Sequence, residues 1–267
     1  MIVVKIIGGL GNQMFQYAMG KYLAVKHSTE LKLDLSGFKN YKTWKFELDN
    51  LNVDYKKYQK NIFKKYVRIQ EKHFHFDLEI MDLPDNVHID GYWQSEKYFK
   101  SIRDHLLKDF VIKHTINEAN QTILDNINST NSVSLHVRRG DYITNPSASV
   151  LHGTCSLEYY NKAIKHITDN IDNPHFFLFS DDIEWVKSNI QINNQVTAVN
   201  INTIDNGYDD LRLMMNCKHN IIANSSFSWW GAWLNNNPEK IVLSPERWFL
   251  TDEHDAKDII PKDWIKL

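Results

Sequence analysis

The sequence predicts an α/β fold of parallel sheets covered by helices, and two observations carry that reading. Short apolar runs alternate with segments of helical periodicity along most of the chain. In the second half such runs recur regularly, and the residues directly after them are polar, as at the ligand-binding edge of an open α/β sheet.

Taken in order, Ile2–Ile7 reads as a buried strand, Gly8-Gly9-Leu10-Gly11 as a turn, and 12–26 as a helix with Phe15, Ala18, Met19 and Tyr22 at helical spacing. Leu31–Leu35 is a second strand, so the chain opens with a β-α-β unit. Residues 36–90, rich in Lys, Tyr and Phe and weakly periodic, read as mixed helix and loop. A strand near His88–Tyr92 leads into a helix over 95–110 whose apolar face is Tyr98, Phe99, Ile102, Leu106 and Leu107. After a polar junction at Lys113-His114-Thr115 the domain boundary falls, giving lobes 1–114 and 115–267. Beyond a helix over 116–128 come strands at 132–137, 175–179, 196–199, 220–223 and 240–243, interleaved with helices at 157–168, 182–188, 208–216 and 226–234.

With 267 residues, 42% of them hydrophobic, the chain has ample material for a core. Thirty-one Lys and Arg stand against 33 Asp and Glu, for a net charge of −2. That balance, with a pI near 6.6, excludes a disordered polyelectrolyte and leaves no footprint for bulk nucleic-acid binding. Cys155 and Cys217 are too few for a disulfide framework and have no metal-binding spacing, so they read as reduced thiols of a cytosolic protein. The N-terminal apolar run is interrupted by Lys5 and is expected to be a strand rather than a leader. No stretch approaches the roughly 18 apolar residues of a membrane span, so any membrane contact is expected to be peripheral.

Three strand ends carry candidate chemistry. After 132–137, which includes His136, comes Arg138-Arg139-Gly140-Asp141-Tyr142. Guanidinium forks match phosphate oxygens and keep their charge when partly buried. Neighbours on extended backbone point to opposite faces, so one arginine is expected on ligand and the other on an acid such as Asp141. A purely structural Arg–Asp pair would leave the same trace.

Asn224-Ser225-Ser226-Phe227 stands where a strand turns into a helix, so free N–H groups, hydroxyls and the positive end of the helix dipole converge. Ser and Asn are also ordinary N-caps. With the arginine pair on the same sheet edge, a pyrophosphate cradle is the better explanation. Ser180-Asp181-Asp182 suggests either a metal held by acids or a helix cap and hydrogen-bond acceptor. The second is favoured, because arginine and a helix N-terminus already neutralise phosphate. Asp209 and Asp210 open a helix, as dipole-complementing acids or as acceptors from a nucleobase or ribose. The Gly8–Gly11 turn does not fit G-x-G-x-x-G, since Met14 stands at the third glycine position. That argues against a dehydrogenase and leaves a close backbone approach to ligand, with Asn12 and Gln13 as donors. Trp229, Trp230 and Trp233 read as packing and Cys155 as structural.

Three segments together resemble a known family: Gly8-Gly9-Leu10-Gly11-Asn12-Gln13-Met14-Phe15-Gln16-Tyr17-Ala18, His136-Val137-Arg138-Arg139-Gly140-Asp141-Tyr142, and the run from His219 to Leu234 that contains Asn224-Ser225-Ser226-Phe227-Ser228-Trp229-Trp230. They look like the α-1,2-fucosyltransferases of glycosyltransferase family 11, and Phe179-Ser180-Asp181-Asp182 and His152-Gly153 match as well. Residues 36–90 carry no family motif. The resemblance implies a GT-B-like fold, two Rossmann-like lobes with parallel sheets facing a cleft. It implies GDP-L-fucose held mainly by the second lobe, with no metal and no other cofactor. Arg138 is then expected on the pyrophosphate, His136 near guanine, Asp210 or its neighbour Asp209 on the base, and Ser225, Ser226 and Phe227 in the phosphate loop. Arg139, Asp181, Asp182 and Asn224 complete the expected donor site, and Asn12 is expected to face the reaction centre.

The reaction implied is inverting: an acceptor hydroxyl, the 2-hydroxyl of a terminal galactose, displaces GDP from β-linked fucose and gives an α product. Arg138 and the Ser225–Ser226 helix end would stabilise the leaving group. A glutamate that some relatives carry is missing from Ile143-Thr144-Asn145-Pro146-Ser147, which leaves Asp141, His152 or a loose transition state needing little base. Asp141 is the catalytic candidate. A second departure is Leu213-Met214-Met215 where relatives usually have Leu-Met-Ser. Without the membrane anchor of animal relatives, the chain is expected to be a bacterial cytoplasmic enzyme, peripheral at the inner membrane face. Its acceptor would be a lipid-linked oligosaccharide of O-antigen or capsule. Competing expectations are another linkage or acceptor, an inactive nucleotide-sugar or glycan-binding protein, and a metal-dependent transferase using Asp181 and Asp182.

Overall fold

The computed structural model describes the chain except residues 41–42, 60–65, 145 and 252–253 and the side chains of 40, 141, 144 and 146–148. Two compact units emerge, one of residues 1–114 with 254–261, the other of 115–253 with 262–267. The tail was expected wholly in the second lobe. Asp258 explains the difference: its carboxylate accepts from the Phe76 amide at 3.0 Å and pairs with Lys97, while its carbonyl accepts from Ser95 Oγ at 2.8 Å.

In the first unit, β1 (Ile2–Lys5), β2 (Leu31–Asp34), β3 (Lys56–Lys57), β4 (Val67–Gln70) and β5 (Val87–Asp90) form a parallel sheet of order β3-β2-β1-β5-β4. Helix α1 (Leu10–Lys26) crosses its apolar face, where a Cβ added at Gly20 would strike Val4 and Leu31. β2 and β5 alternate: Leu31, Leu33, Val87 and Ile89 are buried, whereas Lys32, Asp34, His88 and Asp90 are only part-buried. One face of this sheet is therefore apolar and the other charged.

β3 and β4 lie inside 36–90, which the sequence left as helix and loop. The single helix expected over 95–110 is instead two 3-10 turns, Glu96–Tyr98 and Lys100–Ile102, followed by α2 (Arg103–Asp109). The break falls at Phe99, whose φ of −139° and ψ of 3° leave the helical region. Tertiary ties override propensity there, because the Tyr98 hydroxyl accepts from the Asp77 amide at 2.9 Å.

The second unit contains α3 (Glu118–Ser129), β6 (Asn131–Val137), the short helices α4 (Gly140–Thr144) and α5 (Pro146–Leu151), α6 (Leu157–Asn170), β7 (Pro174–Ser180), α7 (Ile183–Asn189), β8 (Gln195–Val199), α8 (Gly207–Asn216), β9 (His219–Ile221), α9 (Ser226–Leu234), β10 (Val242–Ser244) and β11 (Ile265–Lys266). Its sheet is parallel throughout, in the order β11-β10-β9-β6-β7-β8. β11 adds a strand to the five expected.

Both faces are covered. Phe176 and Leu178 pack with Tyr159, Tyr160 and Ile164 of α6 on one side. Phe177 and Phe179 pack with Ile127 of α3 and Leu213 and Met214 of α8 on the other. That is why β6 and β7 read as continuous apolar runs. From β6 the chain winds outward through β7 and β8, then returns to build β9, β10 and β11 on the opposite side. Strand order thus reverses between β6 and β9, the place where open α/β sheets bind ligands.

Candidate active site

The arginine pair leaves the carboxyl end of β6, beside the end of β7, to which β6 is paired up to Val137 and Ser180. Arg138 Nη1 lies 3.0 Å from Asp181 Oδ2, and Arg139 Nε lies 3.2 Å from Asp182 Oδ2. The expected acid partner, Asp141, has its side chain outside the described residues. Asp181 also accepts from the Arg139 and Gly140 amides, each at 2.9 Å. A Cβ at Gly140 would sit 2.7 Å from Asp181 Oδ2, so this close approach calls for glycine. Asp182 caps α7 by accepting from the Trp185 amide at 3.3 Å, and the Arg139 guanidinium stacks 3.6 Å above the Trp185 ring. Asp182 thus fills the cap role the sequence favoured, and Asp181 and Asp182, which the resemblance put in the donor site, both anchor the arginine turn.

Across the switch point, α9 begins directly after Ser225. This residue stands at the N-cap with φ −135° and ψ 126°, yet its side chain makes no capping hydrogen bond. The ordinary-cap reading fails on that point, and the first amides of α9 retain their capacity for an anion. Ser225 is buried, and Ser226 and Phe227 are part-buried.

Asn224 takes a different role from the one expected. Its Nδ2 donates to the carbonyls of His152, Gly153 and Trp248 at 3.0, 3.2 and 3.3 Å, and its Oδ1 accepts from Cys155 Sγ at 3.4 Å. The side chain thus ties two loops together instead of reaching ligand. His152 is stacked on Tyr142 with ring centroids 4.9 Å apart, and Tyr142 in turn donates to the Asn224 carbonyl at 3.1 Å. The Cys155 thiol, pushed up to about 11 by burial, is structural. Trp229, Trp230 and Trp233 are buried, and Trp229 also packs against Trp264.

His136 is buried beside Phe227, ring centroids 6.1 Å apart, and its Nδ1 has no hydrogen-bond partner among the described residues. Burial pushes its pKa down to about 4, against the Asp181 charge and with help from Arg138, so the ring is neutral near pH 7. On α8, Asp209 is buried with Oδ1 3.4 Å from Arg212 Nε. The partner of Asp210 is Asn202, whose Nδ2 donates to Oδ1 at 2.7 Å and whose amide also exchanges hydrogen bonds with Asn120. Burial pushes Asp210 up to about 6, opposed by the Asn202 bond and aided by the Asp209 charge.

These two groups pull stability in opposite directions with pH. Asp210 in the folded chain holds a proton that the unfolded chain releases near pH 4, so its contribution falls as pH rises from about 4 to 6. The unfolded chain protonates His136 below about pH 6.5 and the folded chain does not, so stability is lost as pH falls through that range. Asp210→Asn is expected to uncover the histidine slope. Urea midpoints measured between pH 6.5 and 4.5 should fall more steeply than in wild type, and an unaltered profile would mean that Asp210 does not hold the proton.

In the first unit the Gly-rich turn is built as a fixture. Gly8 has φ +78°, and a Cβ there would lie 2.9 Å from Asn12 Nδ2. Asn12 Oδ1 accepts from Gln94 Nε2 at 2.8 Å, which fixes the amide with Nδ2 on the Gly8 side. Gln13, expected as a ligand donor, is buried and committed to the Gly8 and Lys45 carbonyls and the Glu47 amide, each at 2.8 Å. Gln94 carries no sequence signal, being 82 residues from Asn12. It follows Trp93, held at φ +57° by the Glu71 carboxylate, which accepts the Tyr92 and Trp93 amides at 2.6 and 2.9 Å.

The family model for glycosyl transferase family 11 matches residues 1–267. The chain belongs to this family. It is 37% identical to an alpha-1,2-colitosyltransferase of Escherichia coli, covering 100% of this chain and 98% of that one. It is 34% identical to the O-antigen biosynthesis glycosyltransferase WbnK of Escherichia coli, covering 97% and 98%. A mouse galactoside 2-alpha-L-fucosyltransferase, Sec1, matches at 24% identity over 94% of this chain and 73% of that one. Arg138 and the start of α9 follow the two strands, β6 and β9, that flank the switch point. Among the described residues no group of three or more His, Cys, Asp or Glu is placed to hold a metal, and no helix is long and apolar enough to cross a membrane.

Proposed function

We propose that the chain transfers L-fucose from GDP-β-L-fucose, with inversion and without a metal ion, to the 2-hydroxyl of a terminal galactose. The acceptor is a lipid-linked oligosaccharide of the bacterial surface, met at the inner membrane face. One observation carries the reading: Arg138 and the uncapped start of α9 follow the two strands that flank the switch point, β6 and β9. A diphosphate seated there meets a guanidinium, backbone amides and the hydroxyls of Ser225 and Ser226, which together stabilise GDP as it leaves. The neutral His136 beside Phe227 and the free oxygen of Asp210 suit a guanine, whose N–H groups need acceptors. Asn12 Nδ2 is the donor assigned to the reaction centre, and Asp141 is assigned to take the acceptor proton.

Transfer to position 2 is supported by the names of both the colitosyl and the mouse fucosyl relative, and O-antigen by that of WbnK. A second reading, the same transfer with a nucleotide-linked colitose, is favoured by the 37% identity to the colitosyltransferase. Metal independence is supported by the engagement of Asp181 and Asp182 with arginines.

The test is GDP release from purified protein with GDP-fucose, with and without N-acetyllactosamine, in EDTA throughout. Acceptor-dependent release in EDTA is expected, with an α-1,2 product by NMR. Release restored only by added Mg²⁺ or Mn²⁺ would overturn metal independence. A large preference for the colitosyl donor would replace the first reading with the second.

A further inference from the structure

The charged face of the first sheet surrounds a cavity of 540 Å³ that none of the chemistry above uses. Lys5, Asp34, His88 and Asp90 line its floor, and Lys39, Lys57 and Arg68 its rim, with the Tyr58 ring 5.8 Å from that of His88. The acids are already satisfied. Asp90 accepts from Lys5 Nζ at 2.7 Å, and Asp34 accepts from His88 Nε2 at 3.0 Å and from the Ser36 amide at 3.0 Å. Among the described residues, Lys39, Lys57 and Arg68 have no acidic partner. The rim therefore carries a surplus of positive charge around a concave space.

An independent observation comes from the sequence. Between Tyr55 and Gln70 stand Lys56, Lys57, Lys60, Lys64, Lys65 and Arg68 and not one acid, in a chain where Lys and Arg together make up 31 of 267 residues. So local an excess in a chain of net charge −2 is a compositional signal for an anionic partner, and Lys57 and Arg68, two of these cations, line the cavity. A cavity large enough for a discrete group, rather than a flat basic patch, points to a compact polyanion.

We propose that this cavity takes the diphosphate of a lipid-linked acceptor, with Arg68 as the fork and Lys57 and Lys39 as point charges. The inference rests on the lipid-linked acceptor proposed above. It assigns the first unit a second phosphate site, separate from the donor diphosphate site, that recognises the carrier rather than the sugar.

The test compares N-acetyllactosamine free in solution with the same disaccharide carried on farnesyl diphosphate, using wild type and the Lys57→Ala/Arg68→Ala double variant of the full chain. The variant is expected to raise KM for the conjugate roughly ten- to thirtyfold and leave KM for free disaccharide and GDP-fucose unchanged. Inorganic diphosphate should compete with the conjugate in wild type only. Both side chains are exposed, so thermal midpoints should coincide. Equal KM ratios in the two proteins would overturn the proposal. Loss of binding to acceptor-free phosphatidylglycerol vesicles, without change in KM for the conjugate, would replace it with a general membrane surface. Turnover of neither acceptor by wild type would defeat the functional reading itself, whereas turnover of both without preference would defeat only this site.

Discussion

Arg138→Ala is expected to lower kcat/KM by roughly 10²–10³ while leaving the fold intact. The arginine follows the carboxyl end of β6, a central strand of the second sheet, with its guanidinium paired to Asp181 at the end of β7. In the proposed reaction, its loss removes the cation that would develop most of its interaction with the leaving diphosphate only as the glycosidic bond breaks, so kcat should fall more than KM rises. Arg138→Lys should recover part of the rate, keeping the charge and losing the planar fork. GDP release under saturating donor reads both effects. A rate within a few-fold of wild type for the alanine variant would remove Arg138 from the chemistry.

Asp181→Ala should fail for a different reason. The carboxylate holds two backbone amides and the Arg138 guanidinium at once, and its side chain is 24% exposed. Deleting it leaves those amides and a partly buried cation without their acceptor, for a stability loss of about 2–4 kcal/mol and a loss of activity at least as large as tenfold. Asp181→Asn, which keeps one accepting oxygen, should fall between the two. Thermal unfolding separates this account from its rival: a variant with wild-type stability and no activity would make Asp181 a ligand contact instead of an anchor.

The sequence made the second unit legible because its strands are covered on both faces. Phe176, Phe177, Leu178 and Phe179 must all be apolar, and such a run announces itself. β3, with only Lys56 and Lys57, and β11, with Ile265 and Lys266, are edge strands of two exposed residues each, too short to hold a period. They exist because a neighbouring strand offers them hydrogen bonds. Arg138, Ser225 and Ser226 were readable as a site from their position after strands. The cap that Asp182 provides was readable too, whereas the arginine pairings of Asp181 and Asp182 and the roles of Asn224 and Gln13 were not, since each is decided by partners tens of residues away. A polar side chain beside a ligand site either touches the ligand or holds the loop that does, and residue type alone does not distinguish the two.

The segment 254–261 belongs to the first unit, while 262–267 closes the sheet of the second. The backbone therefore passes between the units three times, after 114, 253 and 261. Neither unit is encoded by one uninterrupted stretch of the gene. A single crossover therefore cannot exchange one for a foreign counterpart and leave the other whole.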